Sequence, residues 1–280
     1  MPFIDRDGVT IRYEAHGQGP PVLLTHCFGS TMRLWDRQVA HFAERYRLIL
    51  WDMRGHGGSG DPVDPGAYSQ ALTVGDMAAL LDACGEERAV IAGVGLGGLM
   101  SLAFHLEHRE RVEALVLCDT GPGFRNHEAR TAWNHRVNSR AHDIEIKGLD
   151  ALGRGREVLM ACHRSAQGLA NAARGMVVQH DSLVHDSLRT IAAPALIVIG
   201  ADDSEYFSAA TYMASMIPAA RRAVIPGARA VPNLEQPQLF NRVLDDFLGG
   251  LPTNVPASSP GRGPPRQVSP SAAAGWVSYR

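Results

Sequence analysis

Side chains able to do chemistry gather in a few short loops of this 280-residue chain. His26 and Cys27 stand side by side after an apolar run and offer an imidazole next to a thiol. Asp52, Arg54 and His56 lie in the glycine-rich stretch Asp52-Met53-Arg54-Gly55-His56-Gly57-Gly58-Ser59-Gly60. Asp119 closes another apolar run, and Asp202-Asp203 follow a third. An acid, an imidazole and a hydroxyl or thiol are the parts of nucleophilic catalysis: the acid orients the base, the base takes a proton, and the freed nucleophile attacks a carbonyl. The tightest turn, between Gly93 and Gly97, has Gly95 at its centre. Glycine has no side chain and can attack nothing.

The elements that must position these residues follow from hydrophobic patterning. Residues 4–5 and 9–14 read as a hairpin around Arg6-Asp7-Gly8, and residues 21–25, 48–51, 90–94 and 112–118 as short apolar strands. Helical spacing appears over 32–46, 76–83 and 99–108. Strand and helix alternate as in a parallel sheet covered on both faces. Over 123–186 the alternation stops in a polar, helical stretch that holds half of the histidines, including His163. The rhythm returns with a strand at 194–200, a helix at 209–216, a strand at 222–225 and a helix at 234–248. This order predicts an α/β core over 1–122 and 187–250, with a helical cap inserted over 123–186 at its carboxyl edge. Residues 251–280, rich in Pro, Ser, Gly and Ala, read as a disordered tail.

Hydrophobic residues make up 45% of the chain and charged residues 20%, enough apolar surface for a sizeable core. The formal net charge of -2 gives no electrostatic attraction to nucleic acid or an anionic membrane. The first residues lack a signal-peptide pattern, no apolar run has the length of a span, and Cys27, Cys84, Cys118 and Cys162 lack metal-ligand spacing. A cytoplasmic protein with reduced thiols, without metal or cofactor, is the expectation.

Five local patterns in order resemble those of α/β-hydrolases, most nearly the 3-oxoadipate enol-lactonase-like and esterase-like members, which overlap epoxide hydrolases and cofactor-free haloperoxidases. His26-x-Phe28-Gly29 resembles the oxyanion loop, with Cys27 where that family usually has Gly. The turn from Asp52 to Ser59 is similar to the family's second glycine-rich turn, and Gly93 to Gly97 to its nucleophile elbow. Gly200-Ala201-Asp202-Asp203 resembles the acid loop, and the stretch from Pro226 to Pro237 the loop of the catalytic histidine. The resemblance covers residues 3–248. It implies an α/β-hydrolase fold with a mostly parallel sheet, Asp203 at the acid position, Gly95 at the nucleophile position and Ala230 at the histidine position. It also implies oxyanion donors at the Phe28 and Leu96 amides.

Two function classes follow. One is a degenerate hydrolase, a pseudoenzyme with an incomplete triad that binds a small, partly apolar, carbonyl-bearing molecule in a neutral-to-acidic pocket beside Trp133. The other is an ester or lactone hydrolase working through a reduced or relocated site, with His26 and Cys27 as the replacement pair. Arg54 and His56 read as braces of their turn, Asp119 as a carboxylate stabilising its loop at Gly121, and His163 as a solvated surface residue. Gly93-x-Gly95-x-x-Gly98 with Asp119 some twenty positions on also fits a dinucleotide fingerprint. That fingerprint belongs to the first strand–helix unit of its domain, and here several strands precede it.

Overall fold

The computed structural model describes residues 2–252, so the stretch read as a tail lies, from residue 253 on, outside the described residues. In chain order the strands are β1 (Phe3–Arg6), β2 (Val9–His16), β3 (Pro21–Thr25), β4 (Arg47–Trp51), β5 (Ala89–Val94), β6 (Val112–Cys118), β7 (Ala195–Gly200) and β8 (Ala220–Ile225). The helices are α1 (Asp36–Phe42), α2 (Gln70–Cys84), α3 (Leu96–Glu107), α4 (His127–Lys147), α5 (Arg156–Leu159), α6 (Ala166–Ala172), α7 (Leu183–Ser187), α8 (Phe207–Met216), α9 (Pro232–Glu235) and α10 (Pro237–Gly249). One sheet of order β1-β2-β4-β3-β5-β6-β7-β8 runs through the described residues. β1, β2 and β4 pair antiparallel, and every other neighbour is parallel.

Strands buried on both faces need apolar residues at every position, and β5 and β7 are buried throughout. Alternation splits their side chains between two cores. Ile91 and Ile197 join Met77, Leu80, Met100 and Met213 of α2, α3 and α8. Val90, Ala92 and Val198 join Trp35, Phe42, Phe240 and Phe247 on the α1 and α10 side. The segment between β6 and β7 is helical and has a small core of its own, Val137, Ala141, Ile144, Leu169 and Ala173. No helix of the described residues is long and apolar enough to cross a membrane.

Three helix expectations differ from the structure, each for a local reason. Residues 32–46 do not form one helix: a 3₁₀ turn at Met32–Trp35 precedes α1. The helix expected at 76–83 starts at Gln70, because the Ser69 side chain accepts from Leu72 N–H at 3.0 Å and caps it. The last helix is split at Gln236, held at φ −132°, because proline at 237 excludes its predecessor from the helical region.

The loop after β4 is fixed from beneath. Arg54 donates from Nε to Asp76 Oδ2 at 2.6 Å and from Nη2 to Asp76 Oδ1 at 2.8 Å, and both side chains are fully buried. Removing one partner of a buried ion pair strands the other charge, which typically costs about 3–5 kcal/mol. Because Arg6 Nε also lies 3.3 Å from Asp76 Oδ1, Arg54→Ala is expected to lower unfolding free energy by about 3 kcal/mol, the lower end of that range, in urea titrations. A change within about 0.5 kcal/mol, ordinary for a surface site, would show that the pair does not brace this loop.

Candidate active site and ligand cleft

Parallel pairing of β3, β4, β5, β6, β7 and β8 brings the loops that leave them to one edge of the sheet. Open α/β sheets bind ligands at this carboxyl edge. A cleft of about 860 Å³ opens there, lined by Cys27, Phe28, Gly95, Leu96, Asp119 and Ala230 from the sheet loops. Trp133, Arg136 and Arg140 line it from α4.

At the turn from β5 into α3, Gly95 sits at φ 54°, ψ −114°, a conformation costly for a residue with a Cβ. The chain turns this tightly because its neighbours are glycines. A Cβ on Gly93 would overlap the Gly97 carbonyl, and one on Gly97 would overlap the Thr25 carbonyl. A Cβ on Gly98 would lie 2.5 Å from Thr120 Cγ2. Gly95 differs from all three: its nearest neighbour would be Cys27 Cβ at 3.2 Å, and the next is 3.9 Å away. Crowding excludes side chains at the flanking positions. At residue 95 only Cys27 and the backbone angle oppose one.

The amide of Gly95 is used by Cys118 O at 2.9 Å, and its carbonyl by Thr120 Oγ1 at 2.6 Å. The N–H groups of Leu96 and Phe28 have no acceptor among the described residues, and both residues line the cleft. Leu96 opens a twelve-residue helix, so the positive end of that dipole faces the same space. Two free amides at one point are suited to a carbonyl or carboxylate oxygen.

The replacement pair His26–Cys27 does not form. His26 is fully buried, takes the Met53 N–H on Nε2 at 3.0 Å and gives its Nδ1 proton to Cys27 O at 2.8 Å. Burial pushes its pKa down to about 4, and pushes the Cys27 thiol up to about 12 with help from Glu157. A base with both nitrogens engaged cannot deprotonate a thiol that holds its proton so firmly. His56 is likewise committed, to Gly29 N–H at 3.2 Å and Arg54 O at 3.0 Å. His163 is not a solvated surface residue: it takes the Gly57 N–H at 3.1 Å and donates to Gly29 O at 3.0 Å. It thereby ties the helical segment to both sheet loops. No local pattern announces a contact across more than a hundred residues.

Asp203 and Asp119 meet below the cleft. Asp203 Oδ1 accepts from Glu205 N–H at 2.7 Å and Tyr206 N–H at 2.9 Å, while its buried Oδ2 has no N–H or O–H donor among the described residues. Asp119 stands near enough to Asp203 to feel its charge. Asp119 does not stabilise its own loop at Gly121: Oδ1 accepts from Gly200 N–H at 3.1 Å, across the sheet edge. Burial, with Asp203 adding to it, lifts the Asp119 pKa to about 8. Below that pH Asp119 keeps a proton. Ala230 lies exposed at the rim, on the loop joined to the acid loop by Asp202 N–H to Ala228 O at 2.9 Å. The charged residues lining the cleft are Arg136 and Arg140 with Glu157, Glu205 and Asp119.

The family model described as alpha/beta hydrolase fold matches residues 20–145. The putative 2-succinyl-6-hydroxy-2,4-cyclohexadiene-1-carboxylate synthase of Bacillus subtilis is 28% identical over 88% of this chain and 97% of its own length. The 3-oxoadipate enol-lactonase 2 of Acinetobacter baylyi is 26% identical over 86% of this chain and 93% of its own. Among solved structures, a hydrolase from Pseudomonas aeruginosa superposes with a TM-score of 0.75 at 27% identity, covering 89% of this chain and 98% of the other.

The proton on Asp119 sets a pH dependence. Asp119 has its folded pKa raised to about 8 from 3.8, so between those values the native state binds a proton that the unfolded chain releases. Its contribution to stability is full below about pH 4, declines as pH rises and is gone above about 8. Asp119→Asn should flatten that decline in urea titrations across the same window. An unchanged slope would place the proton elsewhere.

Proposed function

The chain belongs to the α/β-hydrolase superfamily, and from that premise we propose that it is a degenerate hydrolase. On this reading it binds a small, partly apolar, carbonyl-bearing molecule in the former active-site cleft without cleaving it. Residues 123–186 act as the cap of that cleft and residues 1–122 with 187–250 as its core. The observation that carries the reading is Gly95 at the turn, with Ala230 on the loop of the resembling family's histidine and no histidine among the described residues that line the cleft. Without a nucleophile and a base, a triad mechanism lacks two of its three parts. Gly95 also relieves the turn of backbone strain worth about 1–3 kcal/mol for a residue with a Cβ. Four unpaired cysteines suit a reducing, cytoplasmic setting.

The second reading, an ester or lactone hydrolase with a reduced site, is favoured by the free amides of Phe28 and Leu96. In triad enzymes stripped of their side chains, such donors leave roughly 10³–10⁴-fold acceleration over water.

Restoration separates the two. The unaltered chain should bind no serine-directed phosphonate and turn over p-nitrophenyl acetate at the rate of background. Gly95→Ser with Ala230→His should gain little, because the new Cβ meets Cys27. Adding Cys27→Gly should free the hydroxyl and give multiple-turnover ester hydrolysis. Turnover by the unaltered chain that is abolished by cleft substitutions overturns the proposal in favour of the second reading. A folded but inert triple variant overturns the assignment of positions 95 and 230.

A further inference from the structure

Resting on the ligand-binding reading above, we propose that the cleft's ligand carries a carboxylate, seated between Arg136 and Arg140 of α4 and next to the Phe28 and Leu96 amides. Residues four apart on a helix lie on one face, and here that face also presents Trp133 and Val137 to the cleft. Each guanidinium rests on a ring of the same cavity: Arg136 Cζ is 5.2 Å from the Trp133 ring centre, and Arg140 Cζ is 5.5 Å from that of Phe28. Stacking holds the plane of the guanidinium and leaves its edge N–H groups free for a planar acceptor. The Trp133 ring is itself fixed, by Nε1–H to Val177 O at 3.0 Å and by packing on Phe124.

Neither guanidinium meets a carboxylate within 4.0 Å or a hydrogen-bond acceptor among the described residues. Arg174 nearby shows the contrast, since Glu145 closes it with two bonds. The acids lining the cleft do not neutralise the pair. Glu157 is folded back on its own loop, where a Cβ on Gly155 would overlap its carboxylate. Glu205 is exposed and makes no ion pair among the described residues, its amide bound to Asp203. Asp119 carries its proton below about pH 8. Two guanidiniums without a carboxylate in contact therefore line a cavity that also has two free amides and several aromatic walls. Arg140 stacks on Phe28, whose own N–H is one of those amides, so the anion and carbonyl positions adjoin. A short aromatic or conjugated oxo-carboxylate meets both.

The test uses the full chain and three probes of equal shape: benzoylformate, its neutral methyl ester, and protonated 2-aminoacetophenone. Calorimetric titration at low salt should give benzoylformate a Kd at least about tenfold below that of the methyl ester, as expected for a charge-assisted hydrogen-bond pair. Arg136→Gln with Arg140→Gln should erase that difference between acid and ester. Equal affinity for acid and ester, or a preference for the amine, overturns the carboxylate proposal and leaves the ligand-binding reading standing. Ala230→Trp, which narrows the rim of the cleft, should weaken both acid and ester. If it weakens neither, binding lies elsewhere and the ligand-binding reading falls with the proposal. Absence of binding by all three probes at millimolar concentration overturns the carboxylate proposal as well.

Discussion

Everything at the carboxyl edge depends on how closely the first turn of α3 can approach β3 and β5. That approach exists because Gly93 and Gly97 carry no Cβ where backbone carbonyls occupy the space. A methyl group at either would push the helix off the sheet, and the Leu96 amide would leave the cleft. The buried Ser101 hydroxyl, bound to Gly97 O at 2.8 Å, adds to the hold. The glycines are thus conditions of the fold. Residue 95 is less crowded, since a Cβ there would meet Cys27 Cβ at 3.2 Å and the next atom only at 3.9 Å, and its backbone angle is what favours glycine.

Position 95 and position 27 are coupled by the same geometry. A side chain at 95 would press on Cys27 Cβ, and the thiol of Cys27 is too firmly protonated to act. Around them, three imidazoles hold the loops in a single pattern: each takes an amide proton on one nitrogen and gives its own to a backbone carbonyl. All three must be neutral to do so, and burial lowers the pKa of each. Groups lowered in this way support the fold above the ordinary histidine range and lose that support as pH falls through their folded values. The position of the Phe28 amide is therefore set by histidines that serve architecture and present no free nitrogen to a ligand.

The sheet was legible in the sequence because strands buried on both faces must be apolar without interruption, and each ends in turn-forming residues. Glycine spacing marked the turn at Gly95, whereas Asp203 and Ala230 were singled out by the family resemblance of their loops. Helix limits were less so, as Ser69 and Pro237 decide them through single capping and steric effects. His163, Arg136 and Arg140 escaped detection for a different reason. Their roles depend on how the helical segment lies over the sheet, and residues 123–186 have a polar composition without a period that fixes which face turns inward. Asp119 was legible as an acid at the sheet edge, but its partner Asp203 stands across that edge and far along the chain.

The absence of an imidazole at residue 230 changes more than proton transfer. A carboxylate at 203 with no cationic or N–H partner on Oδ2 would be a bare buried charge, which burial penalises by several kcal/mol in typical sites. Burial keeps a proton on the nearby Asp119 at neutral pH, and three backbone amides hold the two carboxyl groups. The floor of the cleft is then less negative than two free carboxylates would make it. The guanidiniums of α4 face that floor without a counter-charge in contact. On the proposed reading, a cleft with this floor and these guanidiniums is suited to holding an anion.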